Sequence, residues 1–153
     1  YDNLSIYSVY FPSGSSGELR QKFKIRFLNK FKEFIKQNDE PILISGDYNI
    51  CHKSVDIHDP IRNKNSSGFL PEERKWISDF IDLGFIDTFR EKNKSPHQYS
   101  WWSYRALSRA RNKGWRIDCH MLSSILQEKV VDASILTDIN HSDHCPIYLE
   151  IKV

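Results

Sequence analysis

The sequence predicts an α/β fold: a layered sheet with helices on its outside. Two observations carry that expectation. Short β-branched and aromatic runs with alternating polarity outnumber the helical stretches. Two long amphipathic segments, near residues 18–37 and 71–84, interrupt those runs. With 153 residues and no repeat or low-complexity tract, the expectation is one domain with a sizeable core.

Residues 4–10, LSIYSVY, set Leu4, Ile6, Ser8 and Tyr10 against Ser5, Tyr7 and Val9, which is a strand pattern. FPSGSSGE breaks it as a loop. From Glu18 to Gln37 the residues Phe23, Phe27, Phe31, Phe34 and Ile35, with Leu28 beside them, step by three and four. They predict a helix whose outer face is basic. PILIS is a short apolar run, expected as a buried strand, and GDYN follows at its end. Residues 50–68 are polar and aperiodic, a long connection of the kind that is usually functional or mobile. Residues 70–84 carry helix signals: Pro71 early, Glu72 and Glu73 in the first turn, and Gly84 as a stop. YSWWSY reads as extended, and WRIDCHML, EKVVDASIL and IYLEI read as strands.

The formal charge is +2, from 22 basic and 20 acidic side chains, too balanced to indicate a nucleic-acid partner alone. Its distribution is uneven. Arg105, Arg109, Arg111, Lys113 and Arg116 fall in twelve residues without an acid. Aromatics reach 13 %, and Trp101 and Trp102 adjoin that basic stretch. Arginine pairs with phosphate and Trp stacks on bases or sugars. The alternative is a solvated loop beside two core tryptophans. Cys51, Cys119 and Cys145 are odd in number and lack a CxxC pair, which argues against a disulfide framework and for a reducing intracellular compartment. No apolar run approaches the ~20 residues of a membrane span. HExxH, GxSxG and the P-loop pattern are absent, so zincin, serine-hydrolase and P-loop readings have no support.

Three short motifs carry the remaining chemistry. In GDYN, Asp47 and Asn49 are two apart, so both project to one side if the strand continues. Gly, Asp and Asn are also turn residues, and the four residues alone favour a turn slightly. Asp118, within the apolar run GWRID, is costly to bury unless paired or metal-bound. A solvent-facing edge position is equally compatible. SDHCP offers Asp143 and His144, either as a reactive pair or as a polar turn entering the last strand, with Cys145 and Pro146 as that strand's start. Carboxylates, a His and an amide at strand ends suit an oxygen-preferring divalent metal such as magnesium or manganese, and phosphoester hydrolysis.

In order along the chain, YFPSG, GDYNICH, DIHDP, SSGFLPEER, GFIDTFR, YSWWSYR, ARNKGWRID and SDHCP resemble the exonuclease III family of DNA-repair nucleases. That family lies in the endonuclease/exonuclease/phosphatase superfamily. The resemblance implies a DNase I-like two-layer β-sandwich flanked by helices, with residues 1–153 as a partial domain, its C-terminal portion. An upstream Asn and the Glu that is the family's main metal ligand fall outside the matched part. Position by position, it implies that Tyr10 hydrogen-bonds the scissile phosphate, Asp47 handles the proton of the attacking water or leaving group, and Asn49 holds the phosphate. Asp143 stands near the metal, and His144, oriented by Asp118, contacts the phosphate. Asp143, Asp47 and Asn49 are the expected metal-side groups, for Mg2+ or Mn2+. Trp101, Trp115 and Ile117 fall where the family builds its pocket for a base-free sugar. Arg105 falls at its wedge into the DNA groove, with Arg109 and Arg111 in the same basic loop, and Asn63 and Asn65 lie in a loop approaching the backbone. The implied activity is metal-dependent incision 5′ to abasic sites and removal of nucleotides or blocking groups from 3′ ends. The implied partner is double-stranded DNA, for a protein that is monomeric when complete and resides in the cytoplasm or nucleoid, or in a eukaryotic nucleus. The rival readings are a relative that hydrolyses a phosphoinositide or another phosphodiester, and a non-catalytic DNA-binding fragment.

Overall fold

The computed structural model describes residues 4–152, so Tyr1 lies outside the described residues. Strand β1 (Ser5–Tyr10) is followed by helix α1 (Glu18–Ile35) and β2 (Ile42–Asp47). After the long connection come α2 (Pro71–Ile81), β3 (Phe85–Asp87) and the short α3 (Thr88–Lys92). Strand β4 (Asp118–Ser123) then precedes β5 (Val130–Ile135) and β6 (Ile147–Ile151). One sheet has the order β1-β2-β4-β3, with β1 and β2 parallel and the other pairs antiparallel; β5 and β6 form a second, two-stranded antiparallel sheet. The mixed α/β, DNase I-like layering expected from the sequence is present.

The period-two pattern decides which residues meet which layer. Tyr7, Val9, Ile42, Ile44, Cys119 and Met121 face α1 and α2, where Leu28, Ile35, Trp76, Ile77 and Phe80 complete the main core. On the opposite face Leu43, Ile86 and Leu122 pack against Val130, Leu149 and Ile151 of the second sheet. α2 starts as its sequence predicts. Pro71 opens it, and the Glu73 carboxylate folds back to accept the Leu70 N–H at 2.9 Å, satisfying a donor the helix leaves free.

Four details differ from the sequence reading. The buried stripe of α1 is Lys24, Leu28 and Ile35, while Phe23 and Phe34 are 41 % and 47 % exposed. A basic residue therefore lies on the inner face. YSWWSY, read as extended, joins neither sheet; Trp101 alone in it makes isolated bridges, to Trp115 and His144. β3 and α3 are three and five residues long, too short for periodicity to register. The strand containing Asp118 begins at Asp118, later than the run WRIDCHML implies.

Candidate active site

Three strands place one functional residue each at the same height. In the ladder Tyr10 is the partner of Asp47, and Asp47 is the partner of Asp118. All three project from the face opposite the helices, because Asp47 continues the Leu43, Ser45 series and Asp118 begins the His120, Leu122 series. The approach of β1 to β2 requires Gly46. Its φ is +148°, and a Cβ there would lie 1.8 Å from the Val9 carbonyl oxygen.

GDYN is both a turn and a site. Asn49 has φ 51°, so the extended geometry ends at Asp47 and the chain curls back. The curl brings Asn49 to Asp47 more closely than a strand would. Asp47 Oδ1 accepts the Asn49 N–H at 2.7 Å, and Oδ2 accepts its side-chain amide at 2.8 Å. The same amide donates to the Phe11 carbonyl at 2.9 Å. Burial, and then the nearby charge of Asp118, push the Asp47 carboxyl up to about 6.

Asp118 faces the site rather than open solvent. One of its oxygens accepts Ser100 Oγ–H at 2.7 Å and His144 Nδ1 at 2.9 Å. Asp118 can only accept when ionised, so Nδ1 carries the proton and Nε2 is free to act. The hydrogen bond from His144 to Asp118 raises the imidazole pKa above its ordinary value, against the opposing effect of burial. Ser100 was not foreseen from the sequence. It also accepts the Ile117 and Asp118 N–H groups and so fixes the start of β4. Cys145 and Pro146 lead into β6 as expected: Cys145 N–H donates to the Ser100 carbonyl, and the Pro146 carbonyl accepts Leu136 N–H.

These groups open on a cleft of about 700 Å³, lined by the polar Tyr10, Asp47, Asn49 and His144 and by the apolar Trp101, Trp115 and Ile117. Trp101 and Trp115 meet edge to face at 6.2 Å, over a small core of Cys51, Ile57, Phe69 and Ile117. Asn65 lines the cleft as well. Asn63 does not: its amide donates to the His58 and Asp59 carbonyls and closes its own loop. Asp143 makes no hydrogen bond to Asp47 or Asn49 among the described residues. One of its oxygens accepts the Trp101 indole N–H at 2.9 Å, so it braces a cleft wall.

The basic stretch divides into three environments. Arg105 and Arg111 are exposed. Arg109 stacks on Trp102 and donates to Asn140 and to the carbonyls of Thr137, Ile139 and Ser142, so its donors are taken up within the chain. Arg116 is not part of a surface patch at all. It is 1 % exposed and paired with Asp56 and Asp87. The tryptophans show the same division: Trp102 is buried, and Trp101 faces the cleft.

The sequence matches the Endonuclease/Exonuclease/phosphatase family over residues 4–144. The chain belongs to this family. Across its whole length this family member is 37 % identical to an exodeoxyribonuclease of Bacillus subtilis, covering 62 % of that protein. It is 32 % identical to the DNA repair nuclease APEX1 of Danio rerio, covering 50 % of that protein. The chain thus spans about half to three fifths of these two relatives. Among solved structures, an AP endonuclease from Archaeoglobus fulgidus superposes with a TM-score of 0.88 over 99 % of this chain and 63 % of the other, at 25 % identity. The Neisseria 3′ phosphatase NExo, bound to a product DNA hairpin, superposes with a TM-score of 0.90 at 23 % identity.

Enzymes of this family generally depend on a divalent metal. Among the described residues no group of three or more His, Cys, Asp and Glu side chains forms a metal cage. Magnesium needs less, since it keeps several waters and binds through one or two carboxylates. The oxygen-only donors of Asp47 and Asn49 fit such an ion. The raised pKa of Asp47 marks a carboxylate that a cation would stabilise. No helix among the described residues is long and apolar enough to cross a membrane.

Proposed function

We propose that residues 1–153 form the C-terminal portion of an endonuclease/exonuclease/phosphatase domain whose complete protein is a metal-dependent DNA-repair phosphodiesterase. It cuts double-stranded DNA 5′ to abasic sites and trims nucleotides or blocking groups from 3′ ends. It acts inside the cell and as a monomer. The observation that carries this reading is the junction of two unlike surfaces in one cleft. The apolar Trp101, Trp115 and Ile117 line the same cleft as the polar Tyr10, Asp47, Asn49 and His144, and meet them where Trp101 lies beside His144. A flipped sugar without its base suits the apolar group, and its phosphate then lies on the polar one.

Asp47 takes the proton in the in-line attack of water on phosphorus. A carboxyl whose pKa is about 6 is poised to carry a proton near neutral pH. The Tyr10 hydroxyl and protonated His144 Nε2 donate to the phosphate oxygens as negative charge grows on them, and the Asn49 amide joins them by giving up its hydrogen bond to Asp47 Oδ2. Asp118 does not touch the substrate in this scheme. It holds the Nδ1 proton and favours the cationic form of His144, in which Nε2–H can donate to an anion. The residues that would hold magnesium or manganese are Asp47, Asn49 and Asp143, completed by water. The bound ion would offset charge on the phosphate. Arg105 and Arg111 approach the DNA from the exposed side of the basic loop, and Asn65 from the facing loop.

The test uses the complete protein and a duplex with one abasic analogue. Cleavage on the 5′ side that requires added magnesium, with affinity falling steeply as salt rises, supports the proposal. Turnover of a phosphoinositide with a flat salt response, or metal-independent binding without cleavage, overturns it.

A further inference from the structure

Lys24 is fully buried, yet the proposed reaction uses no atom of it. Its position on α1 sends the ammonium beneath the cleft floor. There Nζ donates to the Asn49 carbonyl at 2.8 Å and to Glu73 Oε1 at 2.6 Å. Glu73 is fully buried too. Its second oxygen accepts the Gly68 N–H at 2.6 Å and the Leu70 N–H at 2.9 Å. Gln21 and Ser67 donate to the first.

One ion pair therefore ties together pieces of the site that come from distant parts of the chain. On one side is Asn49, held at φ 51°. On the other is the turn from Ser66 to Leu70, which lines the cleft. Gly68, at φ 94°, closes the gap between them. A Cβ there would lie 2.9 Å from the Trp115 ring and 3.1 Å from the Asn49 carbonyl oxygen. A buried ion pair is weak evidence for stability, because well-packed apolar residues of similar size often serve as well. What apolar residues could not do is hold the Asn49 carbonyl. That carbonyl fixes the peptide from which the Asn49 amide reaches Asp47 and Phe11.

We infer that Lys24 is a positioning residue: with Glu73 as its counter-ion, it locks the Asn49 peptide and the Ser66–Leu70 wall into the geometry that presents the Asn49 amide to the phosphate. This inference rests on the proposed hydrolysis of DNA phosphodiesters at this cleft. It does not require Lys24 to contact substrate or metal.

The experiment compares Lys24→Met, Lys24→Arg and Glu73→Gln in the complete protein, assayed on the abasic duplex well below each variant's melting temperature. Lys24→Met lowers kcat by about 10–100-fold, the scale expected when a reacting group is displaced by about an ångström, and leaves KM within about threefold. Lys24→Arg recovers most of that loss. Glu73→Gln lies between. The Asn49 and Gly68 amide resonances shift in Lys24→Met and return towards parent positions in Lys24→Arg. If Lys24→Met does not fold, Glu73→Gln carries the same comparison. A parent-like kcat with unmoved Asn49 and Gly68 resonances, in whichever of these variants folds, overturns the inference. A complete parent protein that does not cut abasic DNA refutes the proposed function instead. The two resonances then still decide whether Lys24 holds the Asn49 peptide.

Discussion

Asp47 and Asp56 are both largely buried aspartates, nine residues apart, and their carboxyls are driven in opposite directions. Burial raises the pKa of both. At Asp47 the strongest charge effect comes from another carboxylate, Asp118, so burial and repulsion act together and the value reaches about 6. At Asp56 burial is more than offset by Arg116 and Arg90. Their Nε groups each donate to one of its oxygens at 2.8 Å, while the other accepts the Lys53 N–H. The Asp56 carboxyl consequently lies below its ordinary value. Arg116 and Asp118 are two residues apart, yet one completes a closed ionic network and the other an open one. The closed network holds the cleft wall, since the Arg116 N–H also donates to the Asp56 carbonyl and its neighbours Trp115 and Ile117 line the cleft. The open network is left short of positive charge, and that deficit is what a metal ion or a transferred proton can fill.

The largest effect expected from breaking this contrast is at Asp47. Asp47→Asn lowers abasic-site cleavage by roughly 10²–10⁴-fold, with DNA binding retained and no drop in melting temperature at pH 8 in metal-free buffer. Near-parental cleavage would remove Asp47 from the proton transfer. Next is Arg116→Met, which leaves buried Asp87 without its counter-ion and Asp56 with Arg90 alone. It costs about 3–5 kcal/mol in urea denaturation, as breaking one side of a buried pair does. A variant as stable as the parent would make the two regions equivalent after all.

The smallest effect is also the sharpest, because its sign differs between the two acids. The folded state raises the pKa of Asp47, so ionising it disfavours folding. Its contribution to stability declines as pH rises from the ordinary value of 3.8 to about 6. The folded state lowers the pKa of Asp56, so its contribution is present above 3.8 and is lost as pH falls through the lowered value. Carboxyl titration of the metal-free protein should place Asp47 near 6 and Asp56 below 3.8. Matching titrations would contradict the electrostatic distinction.

Much of the scaffold was legible in the sequence. Alternation in LSIYSVY, the apolar run PILIS and the helix signals of LPEERKWISDFIDLG each place an element within a few residues of its observed bounds. The residues of the polar row were legible as candidates, because Asp, Asn and His at strand ends have few other reasons to cluster. The inward face of α1 was hidden by its phenylalanines. Four- and three-residue steps from Lys24 through Leu28 and Phe31 to Ile35 were a second stripe in the same window. A lysine at its head was the available signal for a buried cation. Arg116 was hidden in the same way, by its place among surface arginines.

The sequence by itself determined which segments are strands and helices, which family the chain resembles, and which residue types could handle a phosphate, since these follow from local periodicity and side-chain chemistry. Only the tertiary structure decided that Tyr10, Asp47 and Asp118 share one row, that Asn49 turns back onto Asp47, and that Lys24 lies beneath both. Register across strands and the burial of a charge depend on partners 25 to 71 residues away in the chain. No local pattern encodes which of two chemically identical aspartates will meet an arginine and which will meet another acid.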